Sequence, residues 1–160
     1  MRHWVGMGAL ALAAASPALA KPPAHPAPTT PRMYAVKLAV RDFAVTTRFY
    51  GLLGMQAGAH HNEWEWELKW DSPARGSSII MVREDMGARF HVTRGGGTLI
   101  ISTPDVFAAL DRLRAAGFAV SGTPHITAVS SIIMVQDPDG NWIELAGPAP
   151  RQGQGLKPTP

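Results

Sequence analysis

A chain of 160 residues with a formal net charge of +3 has room for one hydrophobic core, and it carries no basic cluster suited to nucleic acid. It contains no cysteine. That excludes disulfides, a thiolate nucleophile and thiolate-bound zinc. Arg2 and His3 precede an apolar run, Val5 to Ala15, too short to span a bilayer comfortably, and Ala18-Leu19-Ala20 has the form of a cleavage site. Residues 1–20 are therefore read as a secretory signal peptide cut before Lys21, with an uncleaved anchor as the alternative. The mature chain is expected to be periplasmic or secreted, with no membrane association after cleavage. Lys21 to Arg32 carries five prolines and reads as an extended linker. Residues 147–160 are rich in Gly, Pro and Gln without periodicity and read as a disordered tail.

The folded part is expected over residues 33–146. Tyr34 to Val40 sets Val36, Leu38 and Val40 against Ala35, Lys37 and Ala39, the alternation of a half-buried strand. Asp42 is an N-cap for a helix bearing Val45, Phe49 and Leu52 or Leu53, closed by Gly54. His61 to Trp70 sets Trp64, Trp66, Leu68 and Trp70 against Glu63, Glu65, Glu67 and Lys69 and reads as a strand. Which of its faces is buried, alternation does not say. Ser78 to Arg83 is a further strand, and Arg94 to Gly97 a glycine-rich junction.

The pattern then restarts. Thr98 to Ser102 is a strand, followed by a helix capped by Asp105 or Thr103, striped with Phe107, Leu110 and Leu113 or Arg114, and stopped by Gly117. Ser130 to Gln136 and Trp142 to Ala146 form a hairpin around Asp137-Pro138-Asp139-Gly140-Asn141, a tight-turn sequence. A shift of 63 residues lays Val36 on Leu99, Leu38 on Ile101, Gly54 on Gly117, Ile80 on Ile143 and Val82 on Leu145. Two repeated modules, about 33–93 and 98–146, explain this.

Val40, Asp42, Phe49, Tyr50, Leu53, Gly54 and Met55, taken with the closing turn and Ile143-Glu144-Leu145, resemble the vicinal oxygen chelate superfamily. That superfamily holds glyoxalase I, extradiol dioxygenases, and bleomycin and fosfomycin resistance proteins. The resemblance implies an α+β fold: two tandem βαβββ modules forming a curved mixed sheet, helices outside, with a concave ligand cavity. It also implies metal ligands on the first and last strand of each module. Counted from Gly54 and Gly117, those positions are Ala35, Met81, Thr98 and Glu144. Only one is a good donor for a hard divalent ion, so no catalytic metal and no cofactor are expected. His60, His61 and Glu63 could rebuild a site, but they read more simply as a solvated face.

Glu144 is the catalytic candidate, as a general base. Lys37, Thr98, Ile100, Ser102, Trp142 and His125 are the ligand-binding candidates. Alternation gives the strand residues among them to the cavity face, with Lys37 and Glu144 opposed either as a working pair or as a plain salt bridge. His125 is either a cavity group or an ordinary loop histidine. The tryptophan row either packs in a core or dimer contact or stacks on a flat ligand, and the glutamate row would suit a cationic one. Three functions follow: a metal-free small-molecule-binding protein, a glyoxalase-like lyase or isomerase, and a non-catalytic interaction module. The partners expected are a small organic molecule and a second copy in a homodimer, not nucleic acid.

Overall fold

The computed structural model describes residues 33–72 and 76–150. The expected signal peptide, the linker and residues 151–160 of the tail lie outside the described residues. One compact unit begins at Met33. Its elements are β1 (Ala35–Val40), α1 (Phe43–Leu52), β2 (Met55–Asn62), β3 (Glu65–Trp70), β4 (Ser78–Arg83), a short 3-10 helix (Glu84–Phe90), β5 (Thr98–Ser102), α2 (Val106–Ala115), β6 (His125–Ile126), β7 (Ser130–Gln136) and β8 (Trp142–Pro148). Apart from the 3-10 helix this is βαβββ twice. The last strand runs two residues past Ala146, where the fold was expected to end.

Each module is a four-stranded mixed sheet, ordered β1-β4-β3-β2 and β5-β8-β7-β6. The first strand pairs parallel to the last in both, β1 with β4 and β5 with β8. Both helices start on the expected caps: Asp42 accepts from the backbone N–H of Ala44 and Val45, and Asp105 from that of Ala108. The buried face of α1 is Thr46, Phe49 and Tyr50, while Val45, expected on the stripe, is 41% exposed. Thr46 takes the inward position because its hydroxyl has a buried partner, described below.

Two expectations change. The strand read over His61–Trp70 is broken at Glu63-Trp64, and a separate strand, β2, leads into it. Register shifts at Ala57/His60 and His60/Asn62 scramble the alternation of β2, which hid it. On β3 the tryptophan face is the packed one. Trp66 stacks on Phe43 of α1 with ring centroids 4.6 Å apart, and Leu68 is fully buried. The glutamate face lies on the helix-free side, Glu67 beside Ile80 and Glu65 beside Val82.

The repeat also slips by one residue. Lys37 pairs with Ile80, whereas Ile100 pairs with Glu144. Val36 and Leu99 lie beside Ile79 and Ile143, Leu38 and Ile101 beside Met81 and Leu145. Ile79 and Met81 therefore correspond to Ile143 and Leu145, not Ile80 and Val82. All of Ile79 to Val82 is buried, so β4 shows no alternation by which its register could be read.

One apolar core runs through both modules, from Leu38, Val40, Phe49 and Met81 to Ile101, Leu110, Leu113, Ile143 and Leu145. Each helix lies on its own sheet and touches the other. Phe49 meets Phe118 edge to face at 5.2 Å. Arg48 donates to the carbonyl of Ala116 (2.8 Å) and Arg112 to that of Leu52 (3.0 Å), so each helix ends against a cation from its counterpart.

The two sequence hallmarks also touch. Asp139 Oδ1 accepts from the Arg41 backbone N–H at 2.8 Å, and its Oδ2 from Thr46 Oγ1 at 2.7 Å. Asp137 Oδ2 accepts from the Tyr50 hydroxyl (2.9 Å) and Asn141 Nδ2 (2.9 Å), and Oδ1 from the backbone of Asp139 and Asn141. Burial pushes the Tyr50 hydroxyl pKa far up, and the Asp137 carboxylate adds to the shift. Nearby, Gly97 lets Leu38 and Asn141 close in: a Cβ there would sit 2.7 Å from Leu38 Cδ2 and 3.0 Å from Asn141 Oδ1. The conspicuous motifs are thus a polar clasp between modules. Their role is architectural.

Candidate functional site

With the core on the helix side, the opposite faces of the two sheets are where ligands can be met. In the first module that face carries Ala35, Lys37, Ala39, Glu65, Glu67, Ile80 and Val82. Ala39, Ile80 and Val82 are buried. Lys37 Nζ forms an ion pair with Glu65 and lies 4.0 Å from the ring centroid of Phe90, on the 3-10 helix. Asn62 Nδ2 donates to the other Glu65 oxygen at 2.9 Å. The Lys37 hydrogen bond, reinforced by Asn62, holds the Glu65 carboxyl below its ordinary range. What stays open is a cup of about 380 Å³ lined by Tyr34, Ala35, Lys37, His61, Glu65 and Ile80.

In the second module the pairing register lays out three rows across the sheet: Thr98–Trp142–Gln136, Ile100–Glu144–Met134 and Ser102–Ala146–Ile132–His125. Cross-strand neighbours share a face. Thr98, Ile100, Ser102, Trp142, Glu144 and His125, all expected at the site, are therefore brought to one surface. Ile100 is 72%, Trp142 44% and Met134 40% exposed, around a half-buried Glu144. His125 lies two strands and one row from Glu144, roughly 12 Å between Cα atoms. That is too far for a hydrogen bond between them.

Lys37 is the expected site residue placed elsewhere, on the sheet of the first module with its charge answered by Glu65. Met134 and Gln136 join the face without having been foreseen. Ile132-Ile133-Met134-Val135 is apolar throughout, so the sequence carries no alternation to single out Met134. Along the β5 edge a groove of about 990 Å³ is lined by Thr98, Ile100 and Ser102 of this face together with Val36, Met55, Trp70 and Leu99 of the helix side.

The one-residue slip moves the last-strand ligand position of the first module from Met81 to Ile80. The four positions become Ala35, Ile80, Thr98 and Glu144. A hydrocarbon replaces a thioether. This donor set, with one carboxylate and one hydroxyl, does not fit a catalytic divalent ion.

The model of the Glyoxalase/Bleomycin resistance protein/Dioxygenase superfamily matches residues 32–145. Solved structures with this fold include TnmS3, an antibiotic binding protein from a Streptomyces species, at 24% identity and TM-score 0.61, covering 77% of this chain and 100% of that one. A glyoxalase/bleomycin resistance protein from the same species is 27% identical with TM-score 0.55, covering 71% and 98%. A superfamily member from Sphaerobacter thermophilus is 17% identical with TM-score 0.58, covering 74% and 98%.

Proposed function

Since the chain belongs to the Glyoxalase/Bleomycin resistance protein/Dioxygenase superfamily, we propose that it is an exported small-molecule-binding protein working without a catalytic metal, its ligand taken on the helix-free face of the second module. The observation that carries this is the pairing of an unfit metal-donor set (Ala35, Ile80, Thr98, Glu144) with an exposed apolar face gathered around Glu144. An antibiotic-binding relative of the same fold is compatible with it. Glu144 is positioned to take a proton from a bound ligand, which keeps acid–base chemistry within reach of the site.

Elemental analysis of residues 21–160, with a thermal-shift series against divalent ions, tests the reading. The expected result is substoichiometric metal and no shift. Near-stoichiometric metal, lost on Glu144→Ala, would restore a glyoxalase-like lyase or isomerase.

A homodimer is the second element. β1 and β5 each pair on one side only, and the exposed Ile100 lies on the β5 edge. Sedimentation should show dimer at micromolar concentration. Monomer throughout would remove any site shared between two chains.

A further inference from the structure

We propose that the face around Glu144 recognises a hydrophobic organic monocation, with its charged head against Glu144 and Trp142 and its apolar body over Ile100 and Met134 toward the adjoining groove. This rests on that face being the binding site and adds the chemical class of its ligand.

The ion pairs among the described residues are Lys37–Glu65, Arg41–Glu84, Arg94–Glu84, Arg83–Asp85 and Arg114–Asp111. None involves Glu144. The strand residues sharing its face are Thr98, Ile100, Ser102, His125, Ile132, Met134, Gln136, Trp142 and Ala146, among which there is no lysine or arginine. Lys37, the one cation the sequence suggested for it, is neutralised by Glu65 in the other module.

A half-buried carboxylate with hydrocarbon on both sides loses water when anything covers it, and a cation offsets that loss more fully than a neutral hydrogen-bond donor does. An anion is repelled, and a neutral ligand leaves the charge uncompensated. Trp142 stands two residues along the same strand, 44% exposed, and its indole face attracts the same cation. Ile100 and Met134 are the direct cross-strand neighbours of Glu144, with Cβ separations of about 5 Å, so the apolar body starts next to the charge. Ile100 also lines the groove along the β5 edge, where apolar residues of the helix side come within reach of the ligand's body. One carboxylate sets the head at a single positive charge.

The test uses three probes on one skeleton: 2-(1-naphthyl)ethylammonium, the matching alcohol and 1-naphthylacetate. They are titrated calorimetrically into residues 21–160 and into Glu144→Gln, Trp142→Ala and Ile100→Asp, each checked for fold by far-UV circular dichroism. The ammonium should bind at least tenfold tighter than the alcohol, and the carboxylate weakest. Glu144→Gln should bring ammonium and alcohol within about twofold, and Trp142→Ala should weaken the ammonium more than the alcohol. Equal binding of ammonium and alcohol, or a preference untouched by Glu144→Gln, would overturn the cation while leaving a small-molecule site in place. Silence from all three probes would remove both. Self-association abolished by Ile100→Asp, without any probe response, would instead assign the face to a second copy.

Discussion

The two modules share one plan and finish it in opposite ways. In the first, the helix-free face is mostly covered, down to one small cup: Ala39, Ile80 and Val82 are buried, Lys37 is held by Glu65 and lies over Phe90, and the 3-10 helix leads from β4 to that ring. In the second, the equivalent surface is open, with Ile100, Met134 and Trp142 exposed around an unanswered carboxylate. A duplicated scaffold thus has one half satisfied internally and one half left with something to bind. A charged pair on the first face is no stronger sign of function than a lone charge on the second. The lone charge is the one with free energy still to gain from a ligand.

The difference can be attacked at four points. The largest effect is expected where the halves are joined. Asp137→Ala strips acceptors from Tyr50, Asn141 and the turn backbone, and should cost about 3 kcal/mol or more in urea denaturation, since buried donors are left unpaired. A loss below about 1 kcal/mol would show that apolar packing alone unites the modules.

Gly97→Ala should cost about 1–3 kcal/mol by forcing Leu38 and Asn141 apart. No change would show that this approach is loose.

Alkali gives the third. Tyr50 has a folded pKa raised above its unfolded value, so its contribution is complete below about pH 10 and is lost as pH rises beyond it. The unfolding midpoint should fall above that pH, and Tyr50→Phe should flatten the fall.

Lys37→Met is the mildest, at under about 1 kcal/mol, because the pair it breaks is only partly shielded from water. Glu65 has a lowered pKa, so this contribution is present at neutral pH and lost as pH falls through the lowered value. Ligand binding at the second face should not change. A large loss of binding would mean that Lys37 reaches the site after all.

The fold was legible because its signals are local and repeated: two aspartate caps, two glycine stops, and a turn sequence between apolar strands. Alternation also gathered Thr98, Ile100, Ser102, Trp142 and Glu144, since β5 and β8 have one wet and one dry face. It failed where both faces are dry. Ile79 to Val82 carries no phase, so a count from Gly54 lands on Met81 where the pairing register gives Ile80. It failed again where bulges break the period, so β2 went unseen. The Lys37–Glu65 pair was out of reach because β1 meets β3 only through β4, and sheet order is not written in any one strand.

The crossed arginines have a consequence for ancestry and for engineering. Arg112 is 64 positions after Arg48, and Ala116 is 64 after Leu52, one residue off the 63-residue spacing of the helices, so each half offers the other a similar contact and receives one in return. That is the contact of a two-fold dimer written into a single polypeptide. Cut at the glycines of residues 95–97, the chain would become two half-proteins carrying matching docking faces. Their reassembly in a test tube would re-enact the pairing from which a gene duplication could have fused them.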